Sequence, residues 1–199
     1  MKKKPKIKGL IFVVSGPSGS GKTTLLKNLL RERDLRNKLV KSVSVTTRGK
    51  RSQEHSGRDY FFVSPGKFQQ LNRDKKILEW TKYLGYHYAT RKDFVEQALS
   101  KGRHVILCLD FKGARKIKKL YPKNTITVFI IPPALKELRR RIEARCAKTK
   151  QEEVHRRLKL AKLELRNSHR YNYALVNKDL TKAKKRLKAI ILKEILGIS

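Results

Sequence analysis

Residues 16–23 read GPSGSGKT, and this octet constrains the chain more than any other feature. The pattern G-x-x-x-x-G-K-[ST] builds a phosphate-binding loop when a strand precedes it and a helix follows. Both neighbours are present. Residues 10–14 (LIFVV) predict a short apolar strand, and Thr24, Leu25, Leu26, Leu29 and Leu30 continue at helical spacing within a helix expected over 22–31. The glycines let the backbone turn its N–H groups toward a phosphate chain, and the helix N-terminus adds partial positive charge at the same spot. The expected nucleotide-binding set is Gly16, Pro17, Ser18, Gly19, Ser20, Gly21, Lys22, Thr23 and Thr24. In such a loop Lys22 reaches the β- and γ-phosphates and Thr23 holds Mg2+. An ordinary glycine-rich turn leaves Lys22 and Thr23, directly after Gly21, unexplained.

Apolar runs and helical patterns then alternate, which predicts an α/β chain with a mostly parallel sheet. A second strand is expected over 39–44. Short strands at 60–63, 77–80 and 86–89, broken by Pro65, Gly66 and Gly85, cluster into a small separate sheet. A helix over 93–100 ends at Gly102. Strands over 104–109 and 125–131 follow, the second stopped by Pro132 and Pro133. Residues 134–170 read as mostly helical and very basic, with a turn at 149–151. A short strand at 174–176 precedes a closing amphipathic helix over 180–196, with Leu180, Ala183, Leu187, Ile190, Ile191 and Ile195 near one face.

A length of 199 residues suits one domain with a small insertion or lid. Cys108 and Cys146 make no disulfide framework, and the five histidines show no metal-ligand spacing, so no structural metal is expected. No stretch reaches the length of a membrane span. The basic residues 1–8 before a short apolar run resemble the start of a signal peptide, but the run leads straight into the phosphate loop, so a cytoplasmic chain is expected. The net charge of +35 has three readings: a composition bias spread over solvated faces, steering of anionic nucleotides, or affinity for nucleic acid. No RNA-binding signature accompanies it.

Beyond the loop, the chain carries SVSVTTRGKRSQEHSGRDYFFV at 42–63, ILEWTKYLGYHYAT at 77–90, LCLDFKGA at 107–114, FIIPPALKELRRRIEAR at 129–145 and ALVNKDL at 174–180. In this order, over nearly the full length, these segments resemble the guanylate kinase family, whose nucleoside-monophosphate segment runs S-x-T-T-R-x-x-R-x-x-E-x-x-G-x-D-Y-x-F. The resemblance implies a P-loop NTPase-type parallel sheet flanked by helices, with a small β-rich GMP-binding region and a helical lid. The corresponding division of the single domain, 1–199, is a core of 8–38, 91–133 and 171–199, a GMP-binding region of 39–90, and a lid of 134–170.

The chemistry agrees with the resemblance. Planar guanidinium forks suit a phosphate that must be held in line with the γ-phosphate of ATP. The resemblance gives that task to Arg48 and Arg51, with the hydroxyls of Tyr60 and Tyr88. Guanine offers two donors that one carboxylate can accept together, and an O6 that hydroxyls can serve. Glu79 matches the guanine-reading glutamate, and Ser44 and Thr90 match the hydroxyl positions. Arg141, Arg145 and Arg157 match lid arginines that stabilise the transferring group. Asp110 is expected to support the Mg2+ water shell or the loop, and Asn177 to lie near the adenine of ATP.

Three departures stand out. Cys108 replaces the first aspartate of the family's D-x-D, which predicts weaker base discrimination. Ala89 replaces a glycine common in Y-G-[ST], and residues 146–149 depart from the family's lid tip. The implied reaction transfers phosphoryl from MgATP to GMP or dGMP in a monomer or homodimer. Two alternatives remain at this stage. One is a kinase of the same fold with another nucleotide or a phosphorylated sugar as acceptor. The other is a non-catalytic module that binds phosphorylated partners.

Overall fold

The computed structural model describes residues 9–145 and 151–197; the side chain of Arg145 lies outside the described set, as do residues 1–8 and the departure noted at 146–149. In chain order the elements are β1 (Ile11–Ser15), α1 (Lys22–Leu29), α2 (Arg33–Arg36), β2 (Leu39–Lys41), β3 (Val45–Thr46), β4 (Phe61–Phe62), α3 (Pro65–Arg73), β5 (Ile77–Tyr83), β6 (Tyr86–Arg91), α4 (Lys92–Ser100), β7 (His104–Cys108), α5 (Phe111–Leu120), β8 (Thr125–Ile131), α6 (Leu135–Arg145), α7 (Gln151–Arg166), β9 (Tyr173–Val176) and α8 (Leu180–Leu196).

Every residue of β1 is buried, because β1 is the middle strand of a five-stranded parallel sheet ordered β2-β7-β1-β8-β9. A parallel sheet needs helices on both faces. Alternation along β1 divides the core accordingly. Phe12 and Val14 pack with Leu25, Leu26 and Leu29 of α1 and Leu187 and Ile191 of α8. Ile11 and Val13 face the other way, with Val95 and Leu99 of α4 and Ala114 and Ile117 of α5.

The smaller sheet is ordered β4-β3-β6-β5. Tyr83 pairs with Tyr86 at the end of the β5–β6 ladder, leaving a two-residue turn, Leu84-Gly85. Both turn residues have positive φ, 49° and 87°, as tight hairpins matched to strand twist require. Phe68 of α3 packs beneath this sheet with Val45 and Ala89.

The sequence reading locates most elements within two residues, with three differences. Residues 39–44 are not one strand: β2 pairs with β7 in the large sheet and β3 belongs to the small one, so the core includes residues assigned above to the GMP-binding region. Pro65 and Gly66 do not merely break a strand. They start α3, where Pro sits in the first turn and the Ser64 side chain accepts from the N–H of Lys67 at 3.2 Å. The third difference is two helices not anticipated, the short α2 and the ten-residue α5, whose N-cap is Asp110.

Ile106, fully buried in β7, tests the core directly. Ile106→Ala should cost about 2–5 kcal/mol, read as a lower denaturant midpoint in equilibrium unfolding.

Candidate active site

The loop of residues 16–21 closes over the C-terminal end of β1. Gly21, the N-cap of α1, has φ 89°, and a Cβ there would lie 2.4 Å from Asn177 Nδ2. Only glycine meets both conditions. That amide nitrogen donates to the carbonyl of Ser20 at 2.8 Å, while the N–H of Asn177 donates to the carbonyl of Ile131 at 2.8 Å. Asn177 is thus buried and committed to tying the loop to β8. Its side chain braces the loop, and it lines the cleft beside it.

Lys22 Nζ donates to the carbonyls of Gly16 and, at 2.9 Å, of Pro17. Thr23 and Thr24 are exposed at the start of α1, whose first turn holds no acidic residue and no side-chain cap. The first N–H groups of this helix therefore keep their positive end for an anion. α6 closes over the loop: Gly19 faces Leu138, Ile142 and Arg141, and an Arg141 guanidinium nitrogen donates to the Gly19 carbonyl at 3.4 Å. Glu137 holds the Arg141 Nε at 2.7 Å.

Across from the loop, β3, β6 and the segment between β3 and β4 build a cationic clamp. Arg48 Nη2 donates to both carboxylate oxygens of Glu54, at 2.7 and 2.9 Å, and its Nη1 donates to the Gly49 carbonyl at 2.6 Å. Its guanidinium lies over the ring of Tyr60, 5.5 Å from the centroid, and Tyr60 packs edge-on to Tyr88 at 5.9 Å. The backbone N–H of Arg51 also reaches Glu54, at 3.0 Å. Burial pushes the Tyr60 hydroxyl up to about 12, which keeps it a neutral donor.

Between loop and clamp lies Glu79, only 2% exposed. Its Oε1 accepts from the Thr90 hydroxyl at 2.6 Å across the β5–β6 ladder, while Oε2 is buried with no partner. Burial, with a smaller contribution from the charge of Asp110, pushes this carboxyl up to about 7. The neighbouring wall is Asp110. Its Oδ1 accepts from the N–H of Gly113 at 2.8 Å, and its Oδ2 from the Thr81 hydroxyl at 2.7 Å. Cys108, a free thiol ending β7, lies on the same wall.

These parts share one cleft of about 1090 Å³. Of the expected residues, Gly16, Ser18, Gly19, Gly21, Lys22, Thr23, Thr24, Ser44, Arg48, Arg51, Tyr60, Glu79, Tyr88, Asp110, Arg141, Arg157 and Asn177 line it. Pro17, Ser20 and Thr90 stand behind the wall, and the side chain of Arg145 is not among those described. Among the lining residues that escaped the sequence reading are Glu54, Thr81, Tyr83, Glu153 and Glu164. Glu54 had a signal, as the glutamate of R-x-x-R-x-x-E. Thr81 and Tyr83 had one in β5, where they alternate with Glu79. Glu164 is, with Glu79, a carboxyl of the cleft pushed up to about 7, here by burial, partly offset by Lys22.

A phosphate loop at the end of a central parallel strand, an arginine clamp facing it and a buried carboxylate between them define a P-loop nucleotide phosphotransferase site. The family described as guanylate kinase matches residues 8–194, and the chain belongs to that family. It is 40% identical over 190 residues to the guanylate kinase of Caldanaerobacter subterraneus subsp. tengcongensis, spanning 95% of this chain and 89% of that one. It is 39% identical over 191 residues to that of Bacillus subtilis, spanning 96% and 92%. The crystal structure of guanylate kinase from Anaplasma phagocytophilum superposes with a TM-score of 0.76 at 33% identity, covering 95% of this chain and 87% of that one.

Gly113 is the sharpest local test of this geometry. A Cβ added there would sit 2.8 Å from Glu79 Oε2 and 3.3 Å from Asp110 Oδ1. The far end of Glu79 can swing aside at small cost to the fold, but not without leaving its place. Gly113→Ala should raise the KM for GMP by about tenfold or more, with the KM for ATP and the melting temperature nearly unchanged, in steady-state kinetics and thermal denaturation.

Proposed function

We propose that this chain transfers the γ-phosphoryl group of ATP to the phosphate of GMP or dGMP, giving ADP and GDP or dGDP, with Mg2+ bound to the nucleotide. The observation that carries the substrate assignment is Glu79 Oε2, a buried acceptor with no partner. Such an atom is costly unless a ligand supplies donors. Guanine supplies two, at N1–H and the exocyclic amine, whereas adenine has no N1 donor. Thr90 fixes the orientation of the carboxylate, and Ser44 stands on the same cleft wall to serve O6.

The reaction needs positioning and charge more than covalent chemistry. The backbone N–H groups of residues 16–21 and the N-terminus of α1 hold the triphosphate. Lys22 exchanges its contacts with the Gly16 and Pro17 carbonyls for the β- and γ-phosphates. Arg48 and Arg51, kept in place by Glu54, hold the acceptor phosphate with Tyr60 and Tyr88. A phosphate acceptor is already ionised, so no general base is required. Arg141 and Arg157 come from α6 and α7, which act as the lid over 134–170. They offset the charge developing on the transferring group and help exclude water. Arg145 is assigned to the same group by its place in the family motif.

Mg2+ offsets charge on the phosphate oxygens when bound. The residues present fit it as an ion that arrives on the nucleotide with its waters: the Thr23 hydroxyl is exposed beside Lys22, Asp110 and Glu164 stand on the cleft wall, and among the described residues no group of three His, Cys, Asp or Glu side chains cages a bare ion.

The intact loop and the Glu79 pocket give no support to a non-catalytic module or to another acceptor. Cys108 at the base wall, where the family carries an acidic group, weakens discrimination between bases without removing the chemistry. No helix among the described residues is long and apolar enough to cross a membrane, and a cytoplasmic location is proposed with the activity.

Two outcomes are expected. Arg48→Ala removes a bidentate donor to the acceptor phosphate, so the KM for GMP should rise at least about tenfold while ATP affinity by calorimetry changes little. Glu79 must be ionised to accept both guanine donors, and its carboxyl sits near 7. Thus kcat/KM for GMP should rise with pH through about 7 and level off above it. In Glu79→Gln that inflection should vanish, leaving the second ionisation of GMP's own phosphate near about 6, and the GMP:AMP preference should fall. An unchanged profile and preference in Glu79→Gln would remove Glu79 from base recognition.

A further inference from the structure

Five of the chain's 16 acidic residues line the cleft: Glu54, Glu79, Asp110, Glu153 and Glu164. Four have visible tasks. Glu54 holds Arg48, Glu153 pairs with Arg157, and Asp110 takes the Thr81 hydroxyl and the Gly113 N–H. Glu79 takes Thr90 and keeps one oxygen for the base. Glu164 remains.

It lies on the inward face of α7, three residues after Ala161 and seven after Arg157, both buried. It is the only one of the five with no hydrogen bond or ion pair to its side chain among the described residues. The charges that act on it are Lys22, which favours its ionised form, and Asp110, which opposes it.

A carboxylate in this position carries two costs. It is half-buried with no hydrogen-bond or ion-pair partner among the described residues, which disfavours its charge. Once nucleotide binds, it also faces phosphates of like sign. A cation between the carboxylate and the phosphates removes both costs. Lys22 cannot fill that place and also reach the phosphates as the loop requires. A hydrated divalent cation can, because its bound waters are strong donors to a carboxylate. Both oxygens of Asp110 already accept hydrogen bonds from the protein, whereas both oxygens of Glu164 are available.

We propose that Glu164 is a positioning residue for the hydrated Mg2+ of the bound nucleotide, accepting hydrogen bonds from its water shell, with Asp110 subordinate to it. This rests on residues 16–23 being the nucleotide site. It brings the lid helix α7 into metal binding, so that lid and cation are linked through one side chain.

The test is calorimetric titration of the full chain with ADP, once with excess Mg2+ and once with chelator. In the wild type Mg2+ should tighten ADP binding. Glu164→Gln keeps the shape and loses the charge. It should cut that Mg2+ enhancement by about tenfold, while metal-free ADP binding stays equal or becomes tighter because a like charge near the phosphates is gone. Glu164→Asp should retain most of the enhancement. Glu164→Ala carries the same two criteria if Glu164→Gln fails to fold. An Mg2+ enhancement in the neutral variants equal to the wild type's overturns the proposal. So does a parallel loss of metal-free and Mg2+-bound affinity, which marks a structural role. Failure of the wild type to bind ADP at all instead overturns the nucleotide site itself, and the proposal with it.

Discussion

Asp110 is the joint on which the cleft depends. It lies two residues past the end of β7, caps α5 through Oδ1, and takes the Thr81 hydroxyl of the small sheet through Oδ2. One carboxylate thereby ties the large sheet, helix α5 and the small sheet together. Glu79 stands two residues from Thr81 on the same face of β5, so the joint also fixes the Glu79 side chain against Gly113. A Cβ at position 113 would crowd the cap carboxylate at 3.3 Å and Glu79 more closely, at 2.8 Å. Helix start, sheet junction and the placing of Glu79 therefore meet at one position.

Charge in this protein is organised by its scarce acids. With 51 Lys and Arg against 16 Asp and Glu, an arginine needs little help to be present but much help to be aimed. Glu54 fixes the plane of Arg48, Glu137 that of Arg141, and Glu153 that of Arg157. Such pairs add little to stability at exposed positions. Their value here is orientation: a fork already planar and held loses less freedom when phosphate arrives. Helices α6 and α7 use the same device at i,i+4 spacing, with Glu137 before Arg141 and Glu153 before Arg157, so aim is built into local helical geometry.

Much of this was legible in the sequence for identifiable reasons. Strands of the parallel sheet are continuous apolar runs, and helix α8 carries its apolar face at regular spacing, so both were placed closely. The phosphate loop declares itself because its geometry demands glycine and lysine at fixed offsets. Arg48, Arg51 and Glu79, which line the cleft, were singled out through motif order; by residue type alone, arginines in a chain this basic say nothing. Other features were not legible. Helix α5 begins inside a motif whose aspartate was assigned to chemistry, and its capping role was overlooked. Residues 39–44 read as one strand, yet β2 ends at Lys41 and the chain then leaves the large sheet for the small one. Asn177 has a role that depends on a partner, Ser20, 157 residues away. Glu164 has no local signature, because what distinguishes it is the lack of a partner in the folded cleft.

The central claim is that a buried carboxylate with one oxygen held in reserve makes this cleft a guanine site. The most direct measurement is ADP formation from MgATP with GMP, dGMP, AMP, CMP and UMP supplied separately as acceptors. Turnover with GMP and dGMP well above the other three is the predicted result. Equal or greater turnover with AMP, CMP or UMP, or no turnover with any acceptor, would contradict it.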